Sequence, residues 1–579
     1  LFVEQAKFAI FVGRTICRNL ITEDQKDMGT PRTDHKLSQG CFLSAALVVL
    51  TICVLLLGPI SSCAWEKIEL KNTPTQDMFP ESDAVVIKND GHMEINKNGE
   101  ALFTKRGIIK IFSDTDQRYS KQSLPFNNSV EIVSIKARTI NEKGEQFVLD
   151  KGQITERSIF SECALYSDAK VKEFNFPRVE KNSIVEYEYR FFLKTLLYWH
   201  DWFFQDEIPV INSRYVLEVP RDFGFKSRVV NGKIEPQIRP GDDDQELIFL
   251  WEAKDKKALR KEVFMPPLSD VALRLAFSPP LFTMEGRVYS SKTWDDVAAW
   301  YVELSSESTI ADEKTSDLAF TLTSNSDSKR EKAKLIFRWV QEHVRYVSIA
   351  IGSGAFRPHN CQQVLDHNYG DCKDMSSLLI TLLTAVEIEA FPALISTRGN
   401  RRILADMAKP LQFDNVIVVV PLGGEYLWLD PACRNCRFGE LPFEDQGATA
   451  LIVKRDQGEL TTSPESSFDQ NRNESYWEIK LNPDRSVTGK FMIRAEGQED
   501  LAFRNSLLEL KPTKRKEALL DFVSFWFANV DLNGYEFRNL EEEDSNVCII
   551  GDFAAESFGI ETGAKLFLPV NFTVQRNIS

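Results

Sequence analysis

Tyr369-Gly370-Asp371-Cys372-Lys373-Asp374 stands directly before Met375, Leu378, Leu379, Leu382, Leu383 and Val386, which recur at helical spacing. The pattern predicts a buried helix with Cys372 in its first turn and Asp371 as its N-cap. Unpaired backbone N–H groups and the positive end of the helix dipole favour a thiolate there. Lys373 adds a cation, while Asp371 and Asp374 partly oppose both effects. Taken alone, such a cysteine is as readily a buried structural residue as a nucleophile. Strand candidates follow at Phe391–Ser396, Asn415–Val420 and Glu425–Asp430, so the order is a helix and then an antiparallel sheet.

Upstream of the motif, Ala333, Ile336, Phe337, Val340, Val344 and Val347 form one helical face behind a polar Ser326-Asp327-Ser328 start. The helical character begins near residue 285, and a central domain is expected over 285–455. Before it, Val185, Tyr187, Tyr189 and Phe191 alternate with Glu186, Glu188 and Arg190, the period of a half-buried strand. Asn89-Asp90-Gly91, Asn98-Gly99 and Lys143-Gly144 read as turns, so residues 65–275 are expected to form an antiparallel β-sandwich. Tyr198, Trp199, Trp202, Phe203 and Phe204 read first as core or interdomain packing and second as a stacking surface. A polar stretch at 456–475 reads as a linker. Residues 476–579 then read as an α+β domain, with a helix capped by Thr513 and a last strand-like segment, Leu566–Val574, after which the domain looks incomplete. The fold class is therefore multidomain α+β.

The 579 residues carry a formal net charge of -15, with 43% hydrophobic and 27% charged residues, as expected of folded domains. The acidic balance, with no Lys/Arg-rich run, argues against nucleic acid or anionic lipid as the main partner. Residues 1–64 read as a leader: the uncharged run Cys41–Ile60 follows Arg32 and Lys36 in the order of a secretory signal. Ser62-Cys63-Ala64 suits cleavage before Trp65, and Ile60-Ser61-Ser62-Cys63 resembles a lipobox that would lipidate Cys63. An uncleaved anchor through residues 41–60 is the third fate. Export to the periplasm or cell envelope is the expectation.

The motifs over residues 335–453 resemble the bacterial transglutaminase-like proteins, whose fold is papain-like. They run Ala355-Phe356-Arg357-Pro358-His359, Gly370-Asp371-Cys372-Lys373-Asp374, Phe413–Val420, Trp428-Leu429-Asp430-Pro431 and Gly439-Glu440-Leu441-Pro442. Residues 65–275 resemble DUF3857, the β-rich domain that precedes such a core in a large envelope family. The resemblance implies a Cys nucleophile on the helix, a His at the start of the second strand and an Asp at the end of the third. Cys372 and Asp430 fill two of these places. The family's Phe-Asn-His-Val-Ile reads here Phe413-Asp414-Asn415-Val416-Ile417, so Asn415 stands where the histidine belongs. An amide cannot accept and return a proton near neutral pH. The six histidines, His35, His92, His200, His343, His359 and His367, all precede Cys372. His359 and His367 lead into the nucleophile helix and are the nearest substitute bases; His343 is a weaker one, and His359 sits in a Pro-His pattern whose role looks structural.

Cys433 and Cys436 read by default as two loop cysteines, since a lone C-x-x-C lacks the context of a redox or zinc site. No cofactor or metal motif is visible. Three functions follow as expectations. The first is a catalytically impaired transglutaminase-like envelope protein that keeps a cleft for a protein or peptide ligand. The second is an active cysteine acyltransferase or peptidase with an unconventional base. The third is a structural envelope scaffold.

Overall fold

A computed structural model describes residues 65–567, apart from 66, 114–116, 160–163, 242–243, 264, 351, 456, 543 and 563–564. The hydrophobic run 41–60, Cys63 and residues 568–579 lie outside the described residues, as does the end of the strand-like segment Leu566–Val574. Among the described residues, no helix is long and apolar enough to cross a membrane.

The N-terminal region is built on one large sheet. Its strands are β1 (Ala84–Ile95), β2 (Ala101–Ile111), β3 (Val130–Ile140), β4 (Gln146–Val148), β5 (Ile184–Leu193), β6 (Val210–Pro220), β7 (Gln237–Pro240) and β8 (Glu246–Lys256). They lie in the order β7-β8-β6-β1-β2-β5-β3-β4. All neighbours are antiparallel except β1 and β6, which pair parallel, a departure from the fully antiparallel expectation. β9 (Arg274–Ser278), flanked by strands Trp202–Phe203 and Lys226–Val230, makes a smaller sheet. Trp199, Trp202, Tyr215, Trp251 and Phe277 share one buried cluster, so the aromatic group is packing rather than an open stacking surface.

Two local expectations fail for packing reasons. Asn98-Gly99 and Lys143-Gly144 do turn, with φ of 78° and 85° at the glycines. Asn89-Asp90-Gly91 instead runs through the middle of β1. Its glycine makes room for a ring, since a Cβ at Gly91 would come within 2.6 Å of Trp202. Asn89 donates across the sheet to Ser213 Oγ at 2.9 Å. On β5, Glu186 does not face water: it is fully buried, held by Arg138 Nε at 2.8 Å and by Arg106 Nη2 at 2.5 Å.

The central region starts with α1 (Trp294–Ser305), α2 (Glu313–Thr323), α3 (Lys329–His343), α4 (Cys361–His367) and α5 (Cys372–Ala385). Ser328 caps α3, and Ala333, Ile336, Phe337, Val340, Val344 and Val347 are all buried. The sheet contains β10 (Phe391–Ser396), β11 (Asn415–Leu422), β12 (Glu425–Leu429), β13 (Thr449–Lys454) and β14 (Gln457–Thr462), in the order β12-β11-β10-β13-β14. β14 occupies part of the stretch expected to be a linker. Its polar side chains suit an edge strand, and Gly458 lies against the Trp294 backbone, where a Cβ would meet the carbonyl oxygen at 2.5 Å.

A C-terminal sheet of β15 (Asn473–Leu481), β16 (Val487–Ala495), β17 (Ala528–Arg538) and β18 (Cys548–Ser557) packs against α6 (Gln498–Leu508) and α7 (Pro512–Ser524). Its order is β15-β16-β18-β17. Thr513 does not cap α7: Pro512 takes the first helical position and Lys511 precedes it, since proline needs no N–H partner there.

Candidate functional site

Asp371 caps α5 as expected. Its carboxylate accepts the N–H groups of Lys373 at 3.2 Å and Asp374 at 3.3 Å, while Asp374 reaches back to the Asp371 N–H at 3.1 Å. The helix is fastened to β11 by Ser376, whose hydroxyl donates to the Val416 carbonyl at 2.9 Å. This places Cys372, part-buried, beside the start of β11.

The Val416 N–H joins the two sides of the site, since it points to the Cys372 sulfur and also to Asn415 Oδ1 at 2.8 Å. The other end of that amide, Asn415 Nδ2, donates to Asp445 Oδ1 at 3.5 Å. Asp430, just beyond β12, accepts the Ala432 N–H at 2.9 Å and carries a hydrogen bond to Asp445. Cys372, Asn415 and Asp430 are therefore brought to one place, with Asn415 bonded to its own strand and to Asp445 rather than to the thiol.

Asp445 escaped the sequence reading. It ends the short turn Phe443–Asp445 that follows Gly439-Glu440-Leu441-Pro442, and it is almost fully buried. Its Oδ2 meets no hydrogen-bond donor. Two touching carboxyls, neither bonded to a Lys or Arg side chain, need a shared proton. Burial accordingly pushes Asp430 up to about 6, and burial together with the Asp430 charge drives Asp445 well above the ordinary carboxyl range.

The thiol departs from expectation in the same direction. Burial, and then the Asp371 carboxylate, push Cys372 up to about 12, and Lys373 and the Val416 N–H only partly offset them. The Lys373 ammonium is occupied by Asp371 in a buried ion pair. Dehydration therefore outweighs the helix terminus, and Cys372 stays a thiol at neutral pH. The buried Tyr301 hydroxyl has no hydrogen-bond partner, and burial raises it well above the usual phenol range.

Each substitute base has its Nδ1 on a partner other than Cys372. His359 Nδ1 lies 3.1 Å from Asp374, His367 Nδ1 2.7 Å from the Gln363 carbonyl and His343 Nδ1 2.9 Å from the Trp339 carbonyl. His359 also donates its backbone N–H to Asp374 at 2.8 Å, which makes it a brace for the helix cap. Cys433 and Cys436, read as separate loop cysteines, form a disulfide. It closes the turn after Asp430, and Gln341 Nε2 on α3 donates to both carbonyls, at 2.6 and 3.2 Å. Among the described residues, no group of three or more His, Cys, Asp or Glu is arranged to hold a metal ion.

Comparison with known proteins agrees with this architecture. Residues 97–260 match the domain of unknown function DUF3857, and residues 316–406 match the transglutaminase-like superfamily. No curated protein matches the chain. A solved structure of a "putative protease" from Parabacteroides distasonis aligns with a TM-score of 0.53 and 11% identity, covering 82% of this chain and 93% of its own. A "putative cysteine protease" from Cytophaga hutchinsonii aligns with a TM-score of 0.20 and 12% identity over 63% of this chain and 88% of its own. The chain thus carries a region matching DUF3857, followed by a region matching the transglutaminase-like superfamily in which Cys372 opens the helix before the antiparallel sheet.

Proposed function

We propose that this chain is an exported transglutaminase-like protein of the cell envelope that binds protein or peptide segments at the Cys372 cleft without turning over amide bonds. The observation that carries this reading is the occupant of position 415. An asparagine shares the Val416 N–H with the Cys372 sulfur where a proton-accepting imidazole would be needed. Two features support it: the thiol is held protonated by burial, and among the described residues no histidine is hydrogen-bonded to Cys372. The uncharged run at 41–60 supports export.

The test compares wild type, Asn415→His and Cys372→Ala on peptide amides with amine acceptors. Wild type should be silent. Asn415→His should raise turnover most, because a positioned acid–base group contributes about 10²- to 10⁴-fold. Robust wild-type turnover that vanishes in Cys372→Ala would overturn the reading.

A further inference from the structure

The stretch 397–414 between β10 and β11 ends one residue before Asn415, and it is gripped by the N-terminal domain. Its base is closed within the core, where Asp414 accepts the Thr397 N–H at 2.8 Å and the Thr397 hydroxyl at 2.7 Å. Along its length the N-terminal domain takes hold. Asp270 accepts the Arg402 N–H at 2.9 Å, Arg228 pairs with Asp406 at 2.7 Å, and Ser278 Oγ donates to the Ala408 carbonyl at 2.6 Å. At the centre lies Asp201, about nine-tenths or more buried like the cations it faces. It bonds Arg274 of its own domain and Arg401 of the stretch, the latter at 3.3 Å, with Lys409 Nζ at 3.9 Å. Lys409 also donates to the Trp199 carbonyl and, at 3.4 Å, to that of Phe277.

We propose that Asp201 is a positioning residue for the cleft: by holding Arg401 and Lys409 it fastens the stretch that delivers residue 415 to the thiol. The N-terminal domain is thereby a working part of the site rather than an appended module. Asp270 and Asp414 act on Arg274 and Arg401 only from the sides, whereas Asp201 pairs with all three cations, so its loss loosens the whole stretch and not a single bond. Arg401 fixes more than a charge, since its Nη2 also donates to the Leu411 carbonyl at 3.2 Å. The strain of misplacement would be felt first at Asp414 and Asn415, whose neighbour Val416 is bonded to the sulfur.

Because this role rests on the reading of residue 415 given above, the test uses readouts that need no turnover. Amide hydrogen exchange is followed on the full chain for wild type, Asp201→Asn and Asp201→Glu, with alkylation of Cys372 measured by peptide mass analysis. Asp201→Asn should raise exchange over 397–420 by roughly ten- to hundredfold and speed alkylation, leave the C-terminal sheet unchanged, and be largely repaired by Glu. Should Asp201→Asn fail to fold, Asp201→Asn with Lys409→Met removes one unpaired cation and gives the same comparison. Exchange that is unchanged over 397–420, or that rises equally along the whole chain, would overturn the proposal. Wild-type turnover would sink the functional reading above and leave this one standing.

Discussion

Two buried clusters of charge, one gripping residues 397–414 and one at the start of β11, solve opposite problems. Around Asp201 one carboxylate serves Arg274, Arg401 and Lys409, an excess of cations. Around Asn415, Asp430 and Asp445 touch with no cation bonded to either, an excess of carboxyls. The first cluster stays ionised: its cations hold Asp201 below the usual carboxylate range against burial, and burial lowers Lys409 to about 8. The second keeps a shared proton instead. An interface that joins domains can pair its charges, whereas a cleft emptied of imidazole neutralises them.

The largest expected effect falls on the cation-rich side. Asp201→Ala removes the carboxylate that three buried cations share and should cost about 3–5 kcal/mol in denaturant unfolding. A loss of a few tenths would mean that backbone carbonyls alone satisfy these cations. On the carboxyl side the sign reverses with pH. Asp430 and Asp445 are raised in the folded state, so their contribution is fully present below the unfolded value and is lost as pH rises through about 6 and above. Asp445→Asn removes the like charge and can donate to Asp430. Thermal unfolding should show it gaining about 1–3 kcal/mol on wild type at pH 8 and less at pH 4. An unchanged pH profile would show that the two carboxyls do not share a proton.

A smaller change is expected from the turn that supplies N–H donors to Asp430. Replacing Cys433 and Cys436 with Ser opens a loop of sequence separation 3. Short loops gain little from a cross-link, so the cost should be about 1–2 kcal/mol, with the Asp430 titration moving to higher pH. Reductant should reproduce this in wild type and leave the double variant unaffected. The smallest effect belongs to Asp544, which meets Lys334 and Arg338 while 68% exposed. Asp544→Ala should cost about 0–1 kcal/mol and fade with salt, a baseline against which both buried clusters are judged.

Much of this was legible in the chain. The apolar spacing after Cys372 gave the helix and Asp371 its cap, while alternation and turns gave most strands, because these signals are local. Three things were not local. The thiol's surroundings depend on how closely α5 meets β11, so a helix terminus that promises a thiolate was outweighed by dehydration. Asp445 belongs to no motif, and only the turn after Pro442 carries it to Asp430. Asn89-Asp90-Gly91 looks like a turn until Trp202, far along the chain, claims the space above the glycine.

The grip on residues 397–414 also bears on how such chains can be rearranged by descent. The match to the transglutaminase-like superfamily ends at residue 406, inside that stretch and before Lys409. A gene fusion that set this core behind a different first module would bring Arg401 and Lys409 without the carboxylate that receives them. The two halves should therefore be inherited together, and a change at position 201 should be tolerated only where positions 274, 401 or 409 have shed charge in the same lineage.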